Sequence, residues 1–442
     1  MYQSWGRFPK ARQKPYRLNW IQEKIPWGDF REPYLPYGLG RSYGDSCLND
    51  QGIILDTSHL DRFIEFDRVS GRLVCEAGVS LEDILEVIVP GGWFLPVTPG
   101  TKFVTVGGAI ANDVHGKNHH RAGTFGCHVT RFEVQRSDGS RWVCAPSENR
   151  PLFEATIGGL GLTGLITWAE IGLKKIRNPL IETETIKYRN LEEFFAVSAD
   201  SDNDFEYTVA WIDCLSKGTS LGRGLFMRGN HASTDDRPGS GGRPRKGHVT
   251  IPFDAPGFLL STPAVRLFNV LYYGKVGNAG GRRLTHYDSF FFPLDTIREW
   301  NRLYGKAGFL QYQCAIPAAC GRIGMETILG RIASSGLGSF LAVMKMFGEL
   351  KSPGILSFPR TGVTLALDFA NRGDKTFRRL DDLDRVVEEC GGAVYPAKDA
   401  RMSPASFKKF FPQWETFSAF IDPRSSSGFW RRVTSERQEG QG

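Results

Sequence analysis

Apolar and polar positions alternate in short blocks through the first third of the chain. The run GRLVCEAGV ends as a strand, and SLEDILEVIVPGG follows with Leu81, Ile84, Leu85 and Ile88 spaced for one face of a helix. Ser80 and Asp83 are placed for a capping box, and Pro90, Gly91 and Gly92 stop the helix. RFEVQRSDGSRWVCAP predicts a hairpin turning at Asp138-Gly139. LFEATIGGLGLTGLITWAEIGLKKI predicts a glycine-rich helix or turn that runs into a strand.

Farther along the character changes. EYTVAWIDCL, FLQYQCAIP, FLAVMKMF and GVTLALDF predict strands. Met325, Ile328, Leu329 and Ile332 mark one helix face, and DKTFRRLDDLDRVVEEC predicts a second helix ending at Gly391-Gly392. Residues 220–248 are too polar and too rich in Gly and Pro to pack by themselves, and a mobile loop is expected there. The order implies an antiparallel sheet with helices covering one face, an α+β arrangement. Period-two alternation puts Gln311 with Gln313, Trp211 with Asp213, and Thr364 with Ala366 and Asp368, while Lys345 stands among Val343 and Phe347. Those polar residues are either solvent-facing decoration or the floor of a polar binding site.

At 442 residues the chain exceeds the size at which one core usually stops growing, so two domains are expected. Hydrophobic content of 41% and charged content of 23% fit a soluble globular protein. No apolar run is long enough to cross a bilayer and the first residues hold no secretory h-region, which predicts a cytoplasmic protein or one peripheral at the inner membrane. The net charge of +7 is concentrated at Arg7, Lys10, Arg12, Lys14 and Arg17 and again within 223–246. Such segments are solvated surface or suit anionic lipid and phosphate. No helix-turn-helix, zinc or RNP-like pattern accompanies them, so no nucleic-acid partner is expected. Eight cysteines without a CxxC pair read as reduced, mostly buried thiols.

Two glycine-rich stretches carry the chemistry. YGLGRSYGDSCLND precedes strand GIILD, and TPGTKFVTVGGAIANDVHGKNHH sets glycines beside three histidines, a lysine and an asparagine. Glycine lets backbone N–H groups turn inward and approach a ligand, which suits phosphate oxygens. Neither is a GxGxxG opening a Rossmann helix or a Walker loop. His115 and His119 are four apart, but Gly116 weakens a helix there and no HExxH glutamate follows, so no metal is expected.

In this order and spacing GLGRSYGD, PVTPGTKFVTVGGAIANDVHGKNHHRAGTFGCHV and ATIGGLGLTGLI resemble the FAD-binding domain of the vanillyl-alcohol oxidase-like (VAO/PCMH-type) flavoproteins. HGKNHH, FLQYQ and YPAKD bring the chain nearer, within that superfamily, to the decaprenylphosphoryl-β-D-ribose 2'-oxidase family, flavin subunits of the 2'-epimerases that make the arabinose donor of mycobacterial cell walls. The resemblance implies a two-domain fold: an FAD-binding domain from 1–178 and 393–442, with an antiparallel-sheet substrate domain, 179–392, inserted.

It also implies the site. The first loop, with Gly40, Arg41, Ser42, Tyr43, Gly44 and Asp45, and the second, with Pro99, Gly100, Thr101, Thr105, Gly107 and Gly108, would cradle the FAD pyrophosphate. Asn112, His115, Gly116, Asn118, His119, Ala122 and Gly123 would continue along the cofactor, with Ile157, Gly161, Leu162 and Gly164 from the third motif and Tyr395 and Lys398 from YPAKD. Lys398, Tyr43 and His115 would stand at the reacting carbon. Lys117, Trp211, Gln311, Gln313, Lys345, Thr364 and Ala366 would line the substrate. Many superfamily members attach FAD through a histidine of the first loop; Asp45 closes the motif here, which implies noncovalent FAD. Ala366 stands where the mycobacterial proteins carry a cysteine, so that thiol is absent.

The implied reaction is FAD-dependent oxidation of the 2'-hydroxyl of a polyprenylphosphoryl-β-D-ribose. A separate NAD(P)H-dependent short-chain reductase would be the partner, and peripheral membrane contact would follow. Two alternatives stay open: a soluble sugar or alditol oxidase using oxygen, and a non-catalytic membrane-phosphate-binding protein with a vestigial flavin fold.

Overall fold

Local chemistry places the first elements where the pattern predicts. In the computed structural model, which describes residues 2–233, 249–277 and 281–435, the Asp83 N–H donates to Ser80 Oγ and the Ser80 N–H to the Asp83 carboxylate. That complete capping box starts helix Leu81–Ile88, whose Leu81, Ile84, Leu85 and Ile88 are all buried. Gly139, at φ 85°, turns strand Val129–Gln135 back onto Arg141–Cys144.

The N-terminal part holds two of the sheets. Lys14–Arg17, Ile53–Asp56 and Tyr34–Tyr37 form a parallel trio in that order. Phe63–Asp67, Arg72–Glu76, Leu165–Gly172, Val129–Gln135 and Arg141–Cys144 form an antiparallel sheet of five. Helices Leu81–Ile88 and Val106–Ala111 share one buried cluster with it, which includes Leu73, Cys75, Ile110, Phe132 and Phe153.

An eight-stranded antiparallel sheet follows, ordered Arg283–His286, Leu180–Tyr188, Gly224–His231, Tyr207–Ile212, Ala342–Phe347, Gly362–Ala370, Phe309–Pro317 and Ala393–Val394. Helices Gly321–Ser335 and Asp374–Glu389 bury Met325, Ile328, Leu329, Ile332, Leu383 and Val387 against it. The fold is α+β. Residues beyond that sheet return to the N-terminal layers. The Tyr43 N–H donates to Ala397 O, the Gly428 N–H to Leu48 O, and Arg432 donates to both oxygens of Asp45 and to Asp399.

Two expectations change. Part of the 220–248 segment is ordered, because residues 224–231 form a central strand; residues 234–248 lie outside the described residues. Leu225 and Phe226 bury there and Arg228 pairs with Glu184 across the strands. Gly224 sits so close to its neighbour that a Cβ would meet Trp211 O at 2.1 Å, so this glycine serves pairing and not flexibility. The thiols are not all reduced. Cys320 and Cys390 form a disulfide across the ends of the two covering helices, with Cα atoms 5.6 Å apart, and six cysteines remain free. Of the described N-terminal cations only Arg7 pairs inside the fold, with Asp254; Lys14 and Arg17 stay exposed beside Glu32 and Asp56, as solvated surface.

Arg432 holds two carboxylates that are nearly inaccessible, at 8% and 3% side-chain exposure. Removing one partner of such a group leaves uncompensated buried charge, so Arg432→Met is expected to lower unfolding free energy by about 3 kcal/mol or more, read from urea denaturation.

Candidate active site

Between the glycine-rich loops and the eight-stranded sheet lies a cavity of about 1110 Å³. Residues 38–43 line it from one side, with 98–101, 103–105, 107–108 and 111–112 along its length. These loops form because glycine is needed at particular points. Gly40 adopts φ 61°, and a Cβ there would meet the Tyr37 hydroxyl at 2.0 Å. Thr105 caps helix Val106–Ala111 by accepting the Gly108 N–H.

The loop backbones face the cavity with donors to spare. Among the described residues, none of the N–H groups from Gly38 to Ser42, nor those of Gly100 and Thr101, meets an acceptor. A Cβ on Gly100 would find nothing within 4 Å. Arg41 stands in the same lining, its guanidinium 4.2 Å from the Trp5 ring and its Nε donating to Phe103 O. Unpaired backbone donors, an open cradle and one arginine are the donor set that phosphate oxygens require.

The sheet supplies the other wall. Antiparallel register sets Gln311 against Asp368, Gln313 against Ala366, and Lys345 against Thr364. Gln311, Gln313, Val343, Lys345, Thr364 and Ala366 therefore share the face that meets the cavity. His115, Lys117 and Lys398 close on it from the loops.

His115 is the hub. Lys345 Nζ lies 3.0 Å from its Nδ1 and donates to Gly116 O, while Gln313 Nε2 lies 2.9 Å from its Nε2 and donates to Thr364 Oγ1. Burial holds His115 well below the usual imidazole range, with Lys345 and Lys398 adding to the effect. Burial likewise holds Lys345 well below the lysine range. In the uncharged form of the pair, every bond has its donor. Gln313 donates to His115 Nε2, and His115 Nδ1–H donates to the Lys345 amine.

Two further lysines complete the cluster. Lys117, donating to Phe291 O, is pushed down to about 8 by burial, with Asp295 opposing the shift. Burial lowers Lys398 as well, and the carboxylate of Asp368 works against that fall. Asp368 is itself raised by burial while accepting from Gln311 Nε2. Among the described residues, the amide carbonyls Gln311 Oε1 and Gln313 Oε1 meet no hydrogen-bond donor.

Other expected residues stand off the cavity. Asp45 turns away to Arg432, and Gly44 packs so tightly behind the loop that a Cβ would meet Asp399 O at 1.7 Å. Asn118 donates to Pro96 O, and His119 accepts the Gly348 N–H and packs on Phe347. Ala122 and Gly123 end the helix after it, and Ile157 and Leu162 are core. Trp211 shares the cavity-side face with Val343 but is covered by Tyr272, its ring 4.6 Å away. Tyr272 lines the cavity in its place, as do Trp5, Phe103, Asp295 and Trp300. Tyr272 lies on helix Thr262–Gly274, whose apolar pattern gave no sign of a site.

A profile of the FAD binding domain matches residues 28–145. Decaprenylphosphoryl-beta-D-ribose oxidase of Mycolicibacterium smegmatis is 36% identical over 401 residues, which cover 87% of this chain and 85% of that protein. This chain belongs to the decaprenylphosphoryl-β-D-ribose oxidase family. An uncharacterised protein encoded in the mprA 5' region of Streptomyces coelicolor is 33% identical over 78% of this chain and 97% of its own length. The Delta(24)-sterol reductase of Homo sapiens shares 33% identity over 24% of this chain and 21% of its own.

The chain is thus an FAD-dependent oxidoreductase, and the donors of 38–42 and 100–101 with Arg41 fit the cofactor's phosphates. In this oxidase no histidine occupies the first loop, and Asp45 there is bound to Arg432. Acid precipitation of the holoprotein is expected to leave the flavin in the supernatant. Gly100→Leu would fill the open cradle without meeting protein atoms at its Cβ; it should leave the melting temperature of the flavin-free protein unchanged and weaken FAD binding at least about tenfold, by fluorescence titration.

Proposed function

We propose that this chain oxidises the 2'-hydroxyl of a polyprenylphosphoryl-β-D-ribose to the 2'-keto sugar, the first half of 2'-epimerisation to an arabinose donor. The observation that carries the reading is the pair of buried carbonyl oxygens, Gln311 Oε1 and Gln313 Oε1, without a donor among the described residues, on a cavity wall shared with buried amines. Buried acceptors without donors are costly, and ring hydroxyls supply donors in pairs.

Bound FAD supplies the acceptor for the hydride that leaves C2'. Lys398 does the proton chemistry: its buried amine takes the hydroxyl proton as the C2'–H bond breaks, and the ammonium formed is stabilised by Asp368. Asp368 also fixes Gln311 by accepting its Nε2–H, which leaves the carbonyl oxygen for substrate. The His115–Lys345 unit orients Gln313 in the same sense. Tyr43, whose ring lies 5.5 Å from Lys398 Nζ, is kept protonated by burial and bounds the amine on one side. Lys117 is the amine left to meet the lipid phosphate. The ketone then passes to a separate NAD(P)H-dependent short-chain reductase, which returns it as the inverted alcohol.

Anaerobic mixing of the holoprotein with polyprenylphosphoryl ribose should bleach the flavin band near about 450 nm. Bleaching by free alditols and not by the lipid-linked ribose would overturn the substrate. Lys398→Met should slow reduction by roughly a hundredfold or more. The neutral amine is the active form, so the rate should rise with pH through the Lys398 titration. Asp368 raises the proton affinity of Lys398, so Asp368→Asn should move that rise to lower pH; an unmoved profile would remove Lys398 as the base.

A further inference from the structure

At the sheet end the cavity reaches the surface beside Thr250, Arg283 and Arg298, exposed residues of its lining. Exposed apolar side chains stand next to that rim. Val249, 66% exposed, precedes Thr250, and Leu284, 44% exposed, follows Arg283.

Tyr272, also in the lining, belongs to helix Thr262–Gly274. The inner face of this helix is fixed to the sheet by buried Val265 and by Asn269, which donates to Asp213. Its outer face carries Leu267, Val270 and Leu271 at 62, 56 and 65% exposure. Apolar residues at that helical spacing ordinarily face a core. Here the core face is already occupied, and the second apolar stripe points outward.

Charge flanks the stripe with one sign. Arg266 lies on the same helix, Lys275 follows its last residue and Arg283 stands on the rim, and none of the three forms an ion pair among the described residues. An apolar stripe bordered by unpaired cations matches a surface that is apolar within and anionic at its boundary. The stripe is also continuous with the cavity mouth, through Tyr272.

We propose that helix Thr262–Gly274 is a bilayer-docking element, which lays Leu267, Val270 and Leu271 into an anionic lipid surface and holds the cavity mouth against it. Docking follows from this surface alone; that docking delivers substrate rests on the proposed function. The polyprenyl chain then stays in the lipid while its phosphorylated sugar enters between Arg283 and Tyr272.

The test is flotation of the full FAD-loaded chain with vesicles of phosphatidylcholine and phosphatidylglycerol, against phosphatidylcholine alone. The wild type should float with the anionic vesicles. Combined Leu267→Ser, Val270→Ser and Leu271→Ser should cut partitioning at least about tenfold. Combined Arg266→Gln and Lys275→Gln should cut it roughly fivefold or more per charge, and only on anionic vesicles. Both variants should reduce flavin at the wild-type rate with a short-chain polyprenylphosphoryl ribose free in solution, and the serine variant should fall behind when a long-chain substrate is embedded in vesicles.

A wild type that stays in the dense fraction, or a serine variant that floats equally well, overturns the docking. So does sedimentation showing a wild-type dimer, without vesicles, that the serine variant dissociates, since a second copy then covers the stripe. A wild type that floats but is reduced by neither substrate supports the docking and overturns the proposed substrate.

Discussion

Burying Lys117, Lys345 and Lys398 around His115 sets the terms for the rest of the site. Each group pays desolvation when charged, and each charge repels the others, so the cluster holds fewer protons than the same groups would in water. The result is a pocket of amines ready to accept a proton or to meet an anion. Asp368 tempers Lys398, and Asp295 does the same for Lys117.

That chemistry depends on pairing register. Gln311, Gln313, Thr364 and Ala366 share a face because Phe309–Pro317 and Gly362–Ala370 pair as Gln313 with Ala366, and a slip of one residue would turn the amides into the helical layer. Helices Gly321–Ser335 and Asp374–Glu389 cover the opposite face and so hold the register. The glycine loops reach the cavity because the C-terminal segment clamps the first of them, through Ala397 and Arg432. The glycine loops and the sheet are thus joined by the same stretch that carries Lys398.

Much of this was legible in the chain. The capping box at Ser80, the hairpin at Asp138-Gly139 and the face shared by Gln311 and Gln313 follow from short-range spacing, which local sterics and alternation dictate. The 224–231 strand was hidden because glycine serves close strand approach as well as flexibility, and only a partner strand distinguishes the two. The Cys320–Cys390 pair was hidden because its halves are 70 residues apart.

The sequence by itself determined where the glycine-rich loops fall, the α+β class and the identity of the polar residues on each strand, since these rest on backbone freedom and on side-chain periodicity. Tertiary structure alone decided which of those residues share the cavity. Asp45 belongs to Arg432, Trp211 lies behind Tyr272, and His119 packs on Phe347, because each position is set by a partner from a distant segment. It also decided the direction in which the lysines shift, because desolvation depends on what surrounds a side chain in space and not on what precedes it in the chain.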